Sequence, residues 1–159
     1  MALTVGVNTY ATVAELATFA ALRGIEPAGD PEVLLTKAMD YLDSLEAQWQ
    51  GQRTDPLQAL AWPRYPVYIY GSLIGDTVIP QQIKNGQMQL AIEADTQSLM
   101  PTTGIGGKGS VIEETVDVIT VKYAEGYNNS QPIFTAAMSI LKPLMIPTGG
   151  GSNFAVTRV

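Results

Sequence analysis

WQGQRTDPLQALAWPR, Trp49 to Arg64, is the stretch that decides the reading of this chain. Gly51 can end a helix so that Trp49 tucks under the turning chain, and Pro63 holds Trp62 extended. Arg53 and Arg64 are near enough to stack on the two indoles or to hydrogen-bond loop carbonyls. The stretch therefore reads as a structural clasp of Trp49, Gly51, Arg53, Trp62, Pro63 and Arg64 that orders a long loop over 51–79. Pro56, Pro63 and Pro66 forbid regular helix nearby. Val67-Tyr68-Ile69-Tyr70 and Thr77-Val78-Ile79, flanking Gly71 to Asp76, suggest two short extended pieces and a small hairpin.

Helices lie on both sides of this loop. Thr12 followed by Glu15 is a capping box, and Val13, Leu16, Ala17, Ala20 and Ala21 recur at helical spacing, which predicts a helix over 12–23 stopped by Gly24. Asp30-Pro31-Glu32 then orders an N-cap, a first-turn proline and a first-turn acid, predicting a second helix over 31–49 and a helical hairpin. Pro80 opens a third helix that runs to Pro101, with Ile83, Leu90, Ala91, Ala94 and Leu99 as its buried stripe. Gly86 inside it costs about 1 kcal/mol relative to Ala, so it marks a close helix crossing. Residues 110–124 read as a single strand around a β-branched run. Pro132 opens a fourth helix that ends near Pro143.

The expected fold class is mainly α: a four-helix single domain with a small β element and an extended C-terminal arm. Residues 1–146 form the helical body. Residues 147–159 are a Gly-rich arm, because three consecutive glycines uncouple Phe154, Val156 and Arg158 from the body and leave them for another surface.

Composition narrows the function. The 159 residues are 46% apolar, enough for one core, but only 15% charged, against about 25% in an average soluble protein. Such a surface argues for subunit contact. The chain has no Cys and no His, which removes Ser-His and Cys-His dyads and most zinc sites. The N-terminus lacks the pattern of a secretory signal, and no stretch approaches the roughly 20 apolar residues of a membrane helix, so a soluble, cytoplasmic product is expected. Net charge is -6, with the acidity in residues 1–50, where Glu15, Glu26, Asp30, Glu32, Asp40, Asp43 and Glu46 face only Arg23 and Lys37. No cluster of Lys and Arg suited to displacing DNA counterions is present.

Candidate chemical motifs are weak. Gly104 to Ser110 is glycine-rich and contains Lys108, but the lysine precedes Gly109 and the loop would leave a helix for a strand, the reverse of a phosphate loop. Asp40 with Asp43, and Glu113 with Glu114, read as solvated faces. Tyr65, Tyr68 and Tyr70 could stack on single-stranded bases, yet without a basic groove they read as loop or interface aromatics. No catalytic residue, cofactor-binding residue or metal ligand is assigned, and the chain is not expected to be an enzyme.

The order Trp49-x-Gly51-x-Arg53, Gln58-x-x-x-Trp62-Pro63-Arg64, then Ile79-Pro80 opening a helix, resembles the head-tail connector (adaptor, or head-completion) proteins of tailed bacteriophages, a group often labelled DnaT-like single-stranded-DNA-binding. The resemblance implies a virion protein of the neck region, made in the host cytoplasm. Its partners would be itself, in a ring of twelve, the portal protein, and the next neck or tail-completion protein. Genomic DNA would pass through without specific binding, and no membrane or cofactor is involved. An acidic wall, such as helix 31–49, would let DNA slide. The alternatives are a single-stranded-DNA-binding protein, against which the net charge argues, and a tail-completion subunit. A carboxylate enzyme remains without a site.

Overall fold

The computed structural model describes residues 2–100, 111–115, 120–123 and 134–147, the second and third of these ranges as backbone only. The described residues are mixed but helix-rich, with four α-helices and three small antiparallel strand pairs. The buried apolar side chains form one cluster.

Helix α1 spans Val13–Ala21 and α2 spans Pro31–Ser44. The Thr12 hydroxyl accepts the Glu15 N–H at 3.1 Å while the Glu15 carboxylate accepts the Thr12 N–H at 2.7 Å, so the expected capping box forms in full. The same carboxylate takes a bond from Lys84 at 3.2 Å, which ties α1 to the third helix. Gly24 closes α1 at φ +66°, a conformation that costs a side-chain-bearing residue. Asp30 caps α2 by accepting the Glu32 N–H at 2.9 Å. The second helix is shorter than its expected 31–49 span. It stops at Ser44, and Glu46–Gln48 make a 3-10 turn. Stopping there turns Trp49 back under the helix, where its indole N–H reaches the Leu42 carbonyl at 3.4 Å.

Helix α3 spans Gln81–Thr96 and α4 spans Thr135–Leu141, followed by a 3-10 turn over Lys142–Leu144. A Cβ on Gly86 would meet the Leu141 side chain, with Cγ at 2.8 Å, so the mid-helix glycine does mark a close crossing, between α3 and α4. The next residue, Gln87, is wholly buried and satisfied: its carbonyl accepts from the N–H groups of Tyr10 and Ala11, and its amide donates to Thr9 and the Leu35 carbonyl. One polar side chain thus pins the N-terminal segment and α2 onto α3. Phe134, at the start of α4, meets Tyr41 of α2 edge-on with centroids 5.3 Å apart.

The β structure departs from expectation in two places. Strands β1 (Gln52–Arg53) and β2 (Arg64–Tyr65) pair antiparallel and close the base of the loop. Beyond them, β3 (Tyr68–Ile69) pairs with β4 (Ser72–Leu73), not with Thr77–Ile79. The turn is tighter because Tyr70 at φ 50° and Gly71 at φ 82° both take left-handed backbone and reverse the chain in two residues. The expected single strand over 110–124 is two strands, β5 (Val111–Thr115) and β6 (Thr120–Tyr123), paired with each other. A continuous β-branched run carries no mark of a reversal inside it. The Gly104–Ser110 loop and the arm residues Phe154, Val156 and Arg158 lie outside the described residues.

Candidate functional site

Trp49, Arg53, Trp62 and Arg64 pack and hydrogen-bond around the base of the loop, with one further partner that spacing does not reveal. Trp49 and Trp62 are 1% and 2% exposed and meet edge-on, with centroids 5.9 Å apart. Of the two roles open to the arginines, the structure uses the carbonyl bonds. Arg64, itself buried, donates to the carbonyls of Gln50, Gly51 and Ala61 at 2.9–3.2 Å. Arg53 donates to the Gln58 carbonyl at 2.7 Å. The further member is Glu46, whose two oxygens take Arg53 at 2.6 and 2.7 Å and which also reaches Arg64 at 3.4 Å. The Arg53 bond holds the Glu46 carboxyl below its usual range and raises the already high pKa of Arg53. An acid in the last turn before Trp49-x-Gly51-x-Arg53 was the available signal. It reads as one more surface charge because the 3-10 turn that aims it back at the loop is not encoded by spacing.

Gly51 stands at φ +64°, and a Cβ there would lie 2.6 Å from the Pro66 carbonyl oxygen, so glycine is required by both conformation and contact. The Trp62–Pro63 peptide is cis. The Trp62 N–H donates to the Tyr10 hydroxyl at 3.0 Å, and burial pushes the Tyr10 phenol well above its ordinary value. Asp43 is not the solvated carboxylate its sequence suggests. It is half-buried, burial raises its pKa, and its Oδ1 has no hydrogen-bond partner; the buried Trp62 Nε1 likewise has none. Asp40 is exposed as expected, while the side chains of Glu113 and Glu114 lie outside the described residues.

What the clasp positions is a tyrosine-bearing hairpin. Gln50 is the anchor: its side-chain carbonyl accepts the Tyr68 N–H at 3.1 Å, and its amide donates to the Pro143 carbonyl at 2.9 Å. Backbone bonds Gln50 to Leu144 and Ile146 to Gln48 complete the link between the loop and the turn after α4. The β3–β4 hairpin is therefore fixed at its base while its tip is open. Tyr65, Tyr68 and Tyr70 are 47%, 53% and 85% exposed. Tyr70 and Lys142 line one open groove of roughly 510 Å³, together with Ser139, Pro143, Met145 and Ile146. A cation beside an exposed ring on an apolar floor can take a flat aromatic group and an attached anion. Sequence reasoning singles out the tyrosines but misses Lys142, which is more than seventy residues away along the chain. Among the described residues no group of three His, Cys, Asp or Glu could hold a metal ion, and no helix is long and apolar enough to cross a membrane.

A family model described as "Putative DnaT-like ssDNA binding protein" matches residues 2–159. No curated protein and no solved structure matches. The family match corrects the expected assignment to the phage head-tail connectors, and with it the virion, neck and portal-binding vocabulary, because the matched family is described by single-stranded DNA instead. The physical reason the motif misled is plain in the clasp. Both indoles are buried and both guanidiniums are spent on internal carbonyls and Glu46, so the motif specifies an ordered loop and carries no information about a docking partner.

Proposed function

The chain belongs to the DnaT-like ssDNA-binding family, and from that premise we propose that it is a non-enzymatic protein that binds single-stranded DNA by stacking bases on the tyrosines around the β3–β4 hairpin. The observation that carries this reading is Tyr70, 85% exposed on a hairpin whose base is anchored, beside Lys142 in the same groove. Each stacked base contributes about 1–3 kcal/mol and is sequence-tolerant, since every base has a π-face. In the same reading, the Gly-rich residues 147–159 are an arm that serves assembly.

Net charge -6 shapes the expected binding. With few cations to release phosphate counterions, affinity comes from stacking, and its dependence on salt is shallow. Fluorescence anisotropy with a labelled oligothymidine, titrated at several salt concentrations, tests this. Tyr70→Ala should weaken binding about five- to hundredfold. Lys142→Ala should weaken it less and lower the salt slope by about 0.7. No binding at low salt, or equal binding by the Tyr70 variant, would overturn the reading.

A further inference from the structure

The β3–β4 hairpin and the turn after α4 supply the two sides of the groove that Tyr70 and Lys142 line. Among the described residues no hydrogen bond joins those sides directly, and the polar link between them runs through one side chain. Gln50 Oε1 accepts the Tyr68 N–H at 3.1 Å. Its Nε2 donates to the Pro143 carbonyl at 2.9 Å and stands 3.3 Å from the Tyr68 carbonyl and 3.4 Å from the Met145 carbonyl. An amide has one acceptor and two donors, so this side chain is fully used. Tyr68 is two residues before Tyr70, and Pro143 directly follows Lys142. One amide therefore grips the backbone beside each of the two groups proposed to meet DNA. The Gln50 main chain is held separately: its N–H donates to the Leu144 carbonyl and its carbonyl accepts from Arg64, both at 3.0 Å. Neither bond involves the side chain, so the loop keeps these two ties with another residue at position 50.

Resting on the hairpin reading, we propose that Gln50 is a positioning residue that sets Tyr70 and Lys142 at one spacing, so that a base stacked on the tyrosine delivers its own phosphate to the lysine. Two contacts held in register form in one event, because ordering the first also orders the second. Without the bridge, the hairpin and the turn move independently, and the lysine must be recruited at a separate entropic cost. Stacking then persists while the phosphate contact is lost.

The salt dependence of binding separates this role from a general loosening of the loop. Gln50→Met keeps the length of the side chain and adds no charge, but it removes every side-chain bond to Tyr68, Pro143 and Met145. Gln50→Asn keeps the amide and is one methylene too short to span both partners. Gln58→Met is the matched control. The Gln58 amide donates to the Leu60 and Pro63 carbonyls and its oxygen accepts the Asp55 N–H, all inside the same loop and none at the groove.

Anisotropy titrations of the full chain with labelled oligothymidine, over a series of salt concentrations, supply the measurement, and circular dichroism verifies that each variant is folded. Gln50→Met and Gln50→Asn should each weaken binding about two- to tenfold and lower the salt slope by about 0.7, the change expected when one phosphate contact to a single strand is lost. Adding Lys142→Ala to Gln50→Met should change affinity less than about twofold, because the contact is already gone. Gln58→Met should leave the slope at its wild-type value. A wild-type slope in both folded Gln50 variants, a full further loss on adding Lys142→Ala, or an equal drop in slope for Gln58→Met would each overturn the positioning role. In those three cases Tyr70→Ala still weakens binding and the hairpin reading stands. Equal binding by Tyr70→Ala, or no binding by the wild-type chain, instead removes the hairpin reading and this role with it.

Discussion

The indole of Trp62 lies edge-on to the indole of Trp49 at 5.9 Å, yet only one of the two rings satisfies its N–H: Trp49 reaches the Leu42 carbonyl, while Trp62 Nε1 is buried without a partner. The pair closes the loop by packing, and half of it carries a desolvation cost.

That asymmetry separates two substitutions. Trp62→Ala should destabilise the chain by about 3–5 kcal/mol, the usual range for emptying a buried aromatic site. Trp62→Phe should cost much less, because the lost volume is offset by removal of an unpartnered donor. Urea denaturation of both variants measures this, and an unchanged midpoint for Trp62→Ala would show that the clasp does not stabilise the fold.

Asp43 and Glu46 should give opposite pH signatures. Burial raises the Asp43 pKa above its ordinary 3.8, so folding favours its protonated form: its contribution is most favourable below the unfolded-state value and is lost as pH rises through the folded-state value. The Arg53 bond lowers Glu46 below 4.5, so its contribution is present above that value and is lost as pH falls through the folded-state value. Asp43→Asn should therefore raise Tm at about pH 7, with the gain vanishing near about pH 3. Scanning calorimetry at both pH values decides it. A lower Tm at neutral pH would mean that the Asp43 charge is held favourably by Arg53.

On an exposed helix, glycine to alanine gains about 1 kcal/mol. At Gly86 the sign should reverse, because the new Cβ would press into the Leu141 side chain. Gly86→Ala should destabilise by about 1–3 kcal/mol. The double variant with Leu141→Ala should lose less than the two single losses combined, and strict additivity in thermal melts would contradict the crossing.

Much of the architecture was legible because its signals are local. A capping box acts over three residues, Asp30-Pro31-Glu32 starts a helix through its own backbone chemistry, and Gly86 and the buried stripe of α3 mark a packed face whatever the partner. The errors fell where geometry depends on contacts distant in sequence. The early end of α2 goes with the Trp49 indole turning back to the Leu42 carbonyl, and the two-residue turn with left-handed backbone at Tyr70 and Gly71. The buried Gln87 is satisfied by Thr9, Tyr10 and Leu35, groups that lie more than fifty residues away along the chain.

The Trp49–Arg64 stretch by itself determined that this chain has a long loop held by two indoles and two guanidiniums, because residue type and spacing limit what so short a segment can do. Only the tertiary structure decided what the side chains spend themselves on: Arg64 on the carbonyls of its own loop, Glu46 on both arginines, and Tyr70 beside Lys142 on an open groove. Hydrogen bonds and burial are set by which atoms the fold brings within about 3 Å. A motif therefore names its donors and rings, and the fold chooses their partners.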